Sequence, residues 1–194
     1  MDELIHFLLE FSNLNTRQLE LVRRQVYTKK LRKDEYFSEA GKVSKEIAFV
    51  KQGILRLCYY NREGQEITKY FIAENKFAVD LNSFQTGLPS TEYLQAVEDC
   101  ELLIFSDDSM KHLSETIIGW DEMVNKISSK ALIDKMNRLS PMLSEDAKTR
   151  YLNFYERFPD LANRVPLNHL ASFIGITSQS LSRIRKELKE GEKA

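Results

Sequence analysis

The sequence predicts an α+β chain: an antiparallel β-roll or sandwich between helices, then a compact helical unit. Apolar residues follow a helical period at the amino end, switch to a period of two from about Tyr27 to Phe105, and return to the helical period after Ser106. The period-two runs are short and rich in β-branched or aromatic residues. They are separated by Gly41, Gly53, Gly64 and Gly87-Leu88-Pro89, which suits antiparallel strands better than alternating strand–helix units. Ser140-Pro141 then interrupts a long helical pattern, so the expected division is 1–140 and 141–194.

Residues 3–25 read as one or two helices. Leu4, Phe7, Leu8 and Phe11 share a stripe, and Asn15 or Thr16 suits the cap of a second helix carrying Leu19 and Val22. The runs 47–50, 54–60, 66–72 and 101–105 are the candidate strands, and Asn61-Arg62-Glu63-Gly64 has the composition of a hairpin turn. Ser106-Asp107-Asp108 reads as a helix start, with acids at the positive end of the helix dipole.

A longer helix is expected from near Gly119 to Ser140. Trp120, Val124, Ile127 and Ala131 step by four, three and four, the spacing of a coiled-coil seam, and are the expected dimer interface. Met123 and Ile133 add apolar surface, and Leu132, Met136 and Leu139 continue an offset apolar side. A further helix from about Ser144 to Phe158 turns Ala147, Tyr151, Phe154 and Tyr155 to a core, and Pro159 and Pro166 bracket a short irregular connection.

Residues 164–188 carry the sharpest functional pattern. Leu167, Leu170, Ala171 and Ile174 form one helical face; Gly175 suits a sharp turn; Thr177 suits an N-cap; Leu181, Ile184 and Leu188 form the next buried stripe. Opposite that stripe stand Gln179, Arg183 and Lys186, with Ser182 at the border and Ser178 on the flank. Arg can fork onto guanine and Gln onto adenine, while short hydroxyl side chains let the backbone approach phosphates. The pattern is that of a helix-turn-helix whose second helix reads DNA. From Thr177 to Lys189 the bases Arg183, Arg185, Lys186 and Lys189 face the single acid Glu187, which favours DNA over an ordinary hairpin with a solvated polar side.

The chain has 194 residues and a net charge of −1, with a net of +2 in 141–194 against −3 in 1–140. Cys58 and Cys100, far apart, support neither a disulfide scaffold nor a metal site, and none is expected. No run approaches the roughly 18 apolar residues of a membrane span, and MDELIHFLLEF is not a secretory signal; a cytoplasmic location with no membrane partner is expected.

The order of β-roll, long helix and terminal helix-turn-helix resembles the CRP/FNR family of bacterial transcription regulators across nearly the whole chain. The framework residues are Arg150-Tyr151, Pro159, Leu170-Ala171, Ile174-Gly175-Ile176-Thr177 and Leu181-Ser182-Arg183. Weaker marks are Gly41, Gly53-Ile54-Leu55-Arg56, Gly64 and Ala96-Val97-Glu98-Asp99-Cys100-Glu101-Leu102. The resemblance implies a double-stranded β-helix or jelly roll like that of cyclic-nucleotide-binding domains, a dimerisation helix over about 119–140, and a winged-helix-like helix-turn-helix domain. It also implies a homodimer on pseudo-palindromic double-stranded DNA. Carried over by position, Ser178, Gln179 and Arg183 would read bases, and Thr177, Ser180 and Lys186 would contact phosphates. An activator would also need a surface for RNA polymerase, which no residue here marks.

The chain departs from the family twice. The phosphate-binding cassette of cyclic-nucleotide-binding members reads Phe-Gly-Glu-Leu and, later, Pro-Arg with a small residue; here 77–91 is FAVDLNSFQTGLPST. Val79 stands at the acid position with Asp80 beside it, and Ser90, followed by Thr91, stands at the Arg position. A cyclic phosphate buried without a cation costs several kcal/mol, so cyclic AMP is not the expected effector, and the effector is unassigned. The second departure is at the end, where only Lys189–Ala194 remains for a wing. The rival reading is a ligand-binding sensor that acts through protein contacts with a vestigial helix-turn-helix. An enzyme is not expected: there is no catalytic triad spacing, carboxylate pair, metal-ligand cluster or phosphate loop.

Overall fold

The structure, a computed structural model, describes residues 1–191, without the side chains of 138–144, 189 and 191. The end of the expected wing remnant, 192–194, lies outside the described residues.

Two helices open the chain, α1 (Asp2–Leu9) and α2 (Thr16–Arg24). Asn15 caps α2 in a reciprocal box: its side chain accepts the Gln18 N–H while the Gln18 side chain accepts the Asn15 N–H. Eight strands follow: β1 (Val26–Leu31), β2 (Tyr36–Ser38), β3 (Glu46–Gln52), β4 (Leu55–Tyr60), β5 (Glu66–Ile72), β6 (Phe77–Ala78), β7 (Tyr93–Ala96) and β8 (Cys100–Ser106). A short helix, α3 (Leu81–Thr86), stands between β6 and β7. The expected Asn61–Gly64 turn joins β4 to β5, with the Asn61 carboxamide accepting the Glu63 and Gln65 N–H groups.

The strands form two four-stranded sheets ordered β1-β8-β3-β6 and β2-β7-β4-β5, with antiparallel pairings throughout. This is the expected jelly roll. Its interior is lined by Ala48, Val50, Leu55, Leu57, Ile72, Leu94, Leu102 and Ile104. Both outer faces are also covered, which explains the nearly unbroken apolar runs at 47–50 and 101–105. On the first sheet, Phe49, Leu103 and Phe105 point outward under Leu4, Leu8 and Val22 of the opening helices.

The helices α4 (Asp107–Thr116) and α5 (Trp120–Ser144) complete that cover. Ser106 caps α4 by accepting the Ser109 N–H. Helix α5 continues through Pro141 to Ser144, so the expected break at Ser140-Pro141 is corrected. Proline costs one amide bond and crowds the preceding turn, but within the final turn this leaves the earlier ladder intact.

Four helices end the chain: α6 (Ala147–Arg157), α7 (Pro159–Arg164), α8 (Leu167–Ile174) and α9 (Ser178–Gly191). The stretch after Pro159 is therefore helical, not irregular, with proline at the first position where its missing N–H costs nothing. Tyr151 and Phe154 are buried as expected, whereas Tyr155 is exposed beside the Tyr151 ring.

Gly53, at the β3–β4 turn, has φ +96°, and a Cβ there would stand 2.6 Å from the Asp99 carbonyl oxygen and 2.7 Å from Cys100 Sγ. Gly53→Ala is expected to lower stability by about 1–3 kcal/mol in urea unfolding, since both strain and overpacking oppose it. The exposed Gly64→Ala, with open space around its Cβ position, isolates the strain component.

Candidate nucleic-acid interface

Helices α8 and α9 are joined by Gly175-Ile176-Thr177. Gly175 is left-handed at φ 77°, and its N–H returns to the carbonyl of Ser172. Thr177 Oγ1 accepts the Ser180 N–H at 3.2 Å and lies 3.0 Å from Ser180 Oγ, holding the start of α9. Leu181 is fully buried and Ile184 and Leu188 pack beside it, so the opposite side of α9 faces outward.

Thr177, Ser178, Gln179, Ser180, Ser182, Arg183 and Lys186 are all exposed. Gln179, Arg183 and Lys186 sit at i, i+4 and i+7 on one face. Lys186 has only a 3.8 Å contact to Glu190, a solvent-screened pair worth little. Arg185 behaves differently from its neighbours. Its guanidinium lies over the Tyr151 ring at 5.5 Å, donates to Tyr151 Oη at 3.1 Å and to the Ala162 carbonyl at 2.9 Å. It is the tie between α9 and the helices beneath it, a role no helical-period argument separates from that of Arg183.

The four-helix unit is seated on the outer face of the second sheet. Ile54, Phe71 and Val97 of the roll share one core with Tyr151, Phe154, Leu161, Leu170, Ile174 and Leu181. The rings of Phe71, Phe154 and Phe173 stand 5.4–6.4 Å apart. Ser172 bonds the open edge of β5: its Oγ accepts the Thr68 N–H at 3.0 Å and donates to the Glu66 carbonyl at 3.2 Å. Arg164 forks onto Glu74 at 2.6 and 3.1 Å and also bonds Glu98. Burial raises the Glu74 carboxyl, but the Arg164 bonds and backbone amides outweigh it and hold the group below its usual range.

Beside that contact lies a polar network absent from the sequence reading. Arg56, 2% exposed, donates to Gln95 Oε1 at 2.9 Å, Thr68 Oγ1 at 3.2 Å and Glu66 Oε1 at 2.7 Å. Its residue type and position in a strand do not reveal its partners, because three of four strands must pair before they meet. Glu66 also accepts from Tyr60 Oη at 3.3 Å. Burial acts to raise Glu66, and Arg56 reverses this, so the carboxyl sits below its usual range. The Cys58 and Cys100 thiols are buried and pushed up to about 11, chiefly by burial.

Two of the four expected effector positions, Asp80 and Ser90, form a polar knot. Asp80 caps α3 by accepting the Ser83 N–H at 3.1 Å. Ser90, buried, places its hydroxyl 2.5 Å from Asp80 Oδ2 and 2.8 Å from the Glu92 carbonyl oxygen, its single proton shared between the two acceptors. Val79 is half-buried and Thr91 exposed. No cation stands in the cassette itself, but two approach from outside it. Lys69 of β5 pairs with Glu92, and Lys135 Nζ of α5 lies 4.6 Å over the Tyr70 ring. Burial first, then Lys69, lowers the Lys135 ammonium below its usual value, with Glu92 and Asp80 acting against them.

The dimer stripe is redistributed. Trp120, 2% exposed, packs in the core with Phe105 and Leu113, and Val124 and Ile127 lie against the same cluster. Trp120 is thereby corrected as a contact for a second chain: the apolar face of the first sheet claims it. Ala131 is exposed, and Leu132 and Met136, 58% and 61% exposed, carry the apolar surface that α5 leaves open, together with Ile133. Leu139 lies outside the described side chains.

Residues 28–116, a little under half the chain, match the cyclic nucleotide-binding domain family. No curated protein sequence matches the chain. Among solved structures, the fold is similar to that of CLP, a c-di-GMP responsive global regulator of Xanthomonas campestris, with a TM-score of 0.73 and 16% identity over 92% of this chain and 93% of that one. FixK2 of Bradyrhizobium japonicum is similar with a TM-score of 0.71 and 14% identity over 86% of each chain. A protein of Eubacterium rectale assigned to the crp/fnr family of transcriptional regulators gives 0.69 and 17% over 92% of this chain and 85% of that one. No helix among the described residues is long and apolar enough to cross a membrane.

Arg56→Ala is expected to cost on the order of 3 kcal/mol in urea unfolding, because Gln95, Thr68 and Glu66 all lose a partner. The loss stays below that of a sealed ion pair because Glu66 keeps some access to water.

Proposed function

We propose that this chain is a homodimeric, sequence-specific DNA-binding transcription regulator of the CRP/FNR type, built on a roll that does not respond to cyclic AMP. One observation carries the reading: the outer face of α9 is exposed from Ser178 to Lys186 and offers hydroxyl, amide and guanidinium groups, with its apolar side packed beneath it. Such a face meets the needs of a major groove. Gln179, Arg183 and Ser178 read bases, while Thr177, Ser180, Ser182 and Lys186 approach the backbone. A dimer sets two such helices about 34 Å apart, one turn of duplex. The open α5 surface of Leu132, Ile133 and Met136 suits the partner chain, with Ala131 at its border.

The case against cyclic AMP is the Asp80–Ser90 knot. Asp80 is engaged at a helix start and by Ser90, Lys69 is paired with Glu92, and Lys135 is held over Tyr70. A cyclic phosphate would have to break these contacts to find a cation. Titration calorimetry with cyclic AMP is expected to show no micromolar binding; such binding, lost in Ser90→Asp, overturns the claim.

Selection of bound DNA from a random library is expected to return a two-fold symmetric site. On that site Arg183→Ala costs about 1–3 kcal/mol and relaxes one base position, whereas Lys186→Ala weakens all sequences alike and lowers the salt slope by about one. Equal affinity of wild type and Arg183→Ala removes the base-reading role, and failure to select any sequence favours the sensor reading.

A further inference from the structure

We infer that the seat of α8 on the second sheet is an acid-sensitive joint, loosened when His169 takes up a proton. His169 stands one turn before Ser172 on α8, half-buried, on the side through which Ser172 bonds β5. The charged groups that act on its ring come from three other segments: Arg56 of β4, Glu66 of β5, and Lys33 and Asp34 of the β1–β2 turn. Arg56 is sealed at 2% exposure and cannot turn away, and Glu66 is already bonded to it at 2.7 Å. A proton on His169 therefore gives up solvation and meets the fixed charge of Arg56, which together outweigh the opposing pull of Glu66 and Asp34.

Burial, and then the charge of Arg56, lower the His169 imidazole from its ordinary value of 6.5. The docked ring is thus neutral at neutral pH. Below the ordinary value, an undocked ring accepts a proton that the docked ring still resists, so acid favours release until the docked value is also passed. The other ties do not share this response. Glu66 and Glu74 are held below the usual carboxylate range by Arg56 and Arg164, against the opposing pull of burial, and remain charged while the histidine titrates. The joint therefore has constant ionic ties and one titrating member, placed where the reading helices meet the roll.

The Thr68 amide reports the joint directly, since its N–H is bonded to Ser172 Oγ. Its hydrogen exchange, followed by NMR on the full chain without DNA and corrected for intrinsic rates, is expected to lose protection several-fold from about pH 7.5 to about pH 5. The limit is about thirtyfold, set by a free histidine. His169→Gln flattens this dependence, whereas Arg164→Ala lowers protection at every pH and keeps the slope. In the wild type the His169 ring titrates below its ordinary value, and it does so in Arg164→Ala as long as the slope of protection is kept. A flat wild-type profile, an unchanged slope in His169→Gln, or a wild-type ring titrating at or above its ordinary value overturns the inference. The consequence for DNA rests on the proposed function, but the measurement uses none, so either can fail alone.

Discussion

The outer face of the second sheet is the constraint on which the rest of the molecule depends. Ile54, Phe71 and Val97 are too apolar to meet water, and α1, α2, α4 and the start of α5 are spent on the first sheet. The carboxyl-terminal helices supply the missing layer. Helix–sheet–sheet–helix is thus one stack with three apolar interfaces, the last of them between the roll and the unit that carries α9. Burying apolar area at roughly 25 cal/mol per Å² makes such a seat a substantial share of a small protein's stability.

That seat leaves the candidate reading face free. Leu181 faces the shared core, and Arg185 is held by Tyr151 and the Ala162 carbonyl, so the remaining polar side of α9 has nowhere to point but out. Orientation follows from the anchors rather than from the exposed residues. Among the described side chains, the basic residues of α9 accordingly divide into two kinds: Arg183 and Lys186 are available to a ligand, and Arg185 is structural.

Much of this was legible from local chemistry. The shift of apolar period located both ends of the roll, Asn15, Ser106 and Thr177 capped where their side chains suggested, and Gly175 turned the corner with a positive φ. Each of those features depends on residues within a few positions of one another. What was not legible is long-range. Trp120 has coiled-coil spacing, but only the folded first sheet shows that Phe105 claims it. Arg56, Glu66, Thr68 and Gln95 come from three strands, and Arg164 meets Glu74 and Glu98 across the two units. Proline is an ambiguous signal: at 141 it sits inside a helix and at 159 it begins one.

Ser172 has one more consequence. In bonding Thr68 and Glu66 through a single hydroxyl, it occupies main-chain positions on a strand that ends its sheet and could otherwise recruit a foreign strand. The helix is thus a guard against stray β-pairing as well as a cover for apolar surface. Detachment would bare a template for self-association, with Glu66 and Lys69, each paired to a neighbouring side chain, as the charges left on that strand to oppose it. Shielding of the sheet border and seating of the helix are therefore coupled through one hydroxyl group.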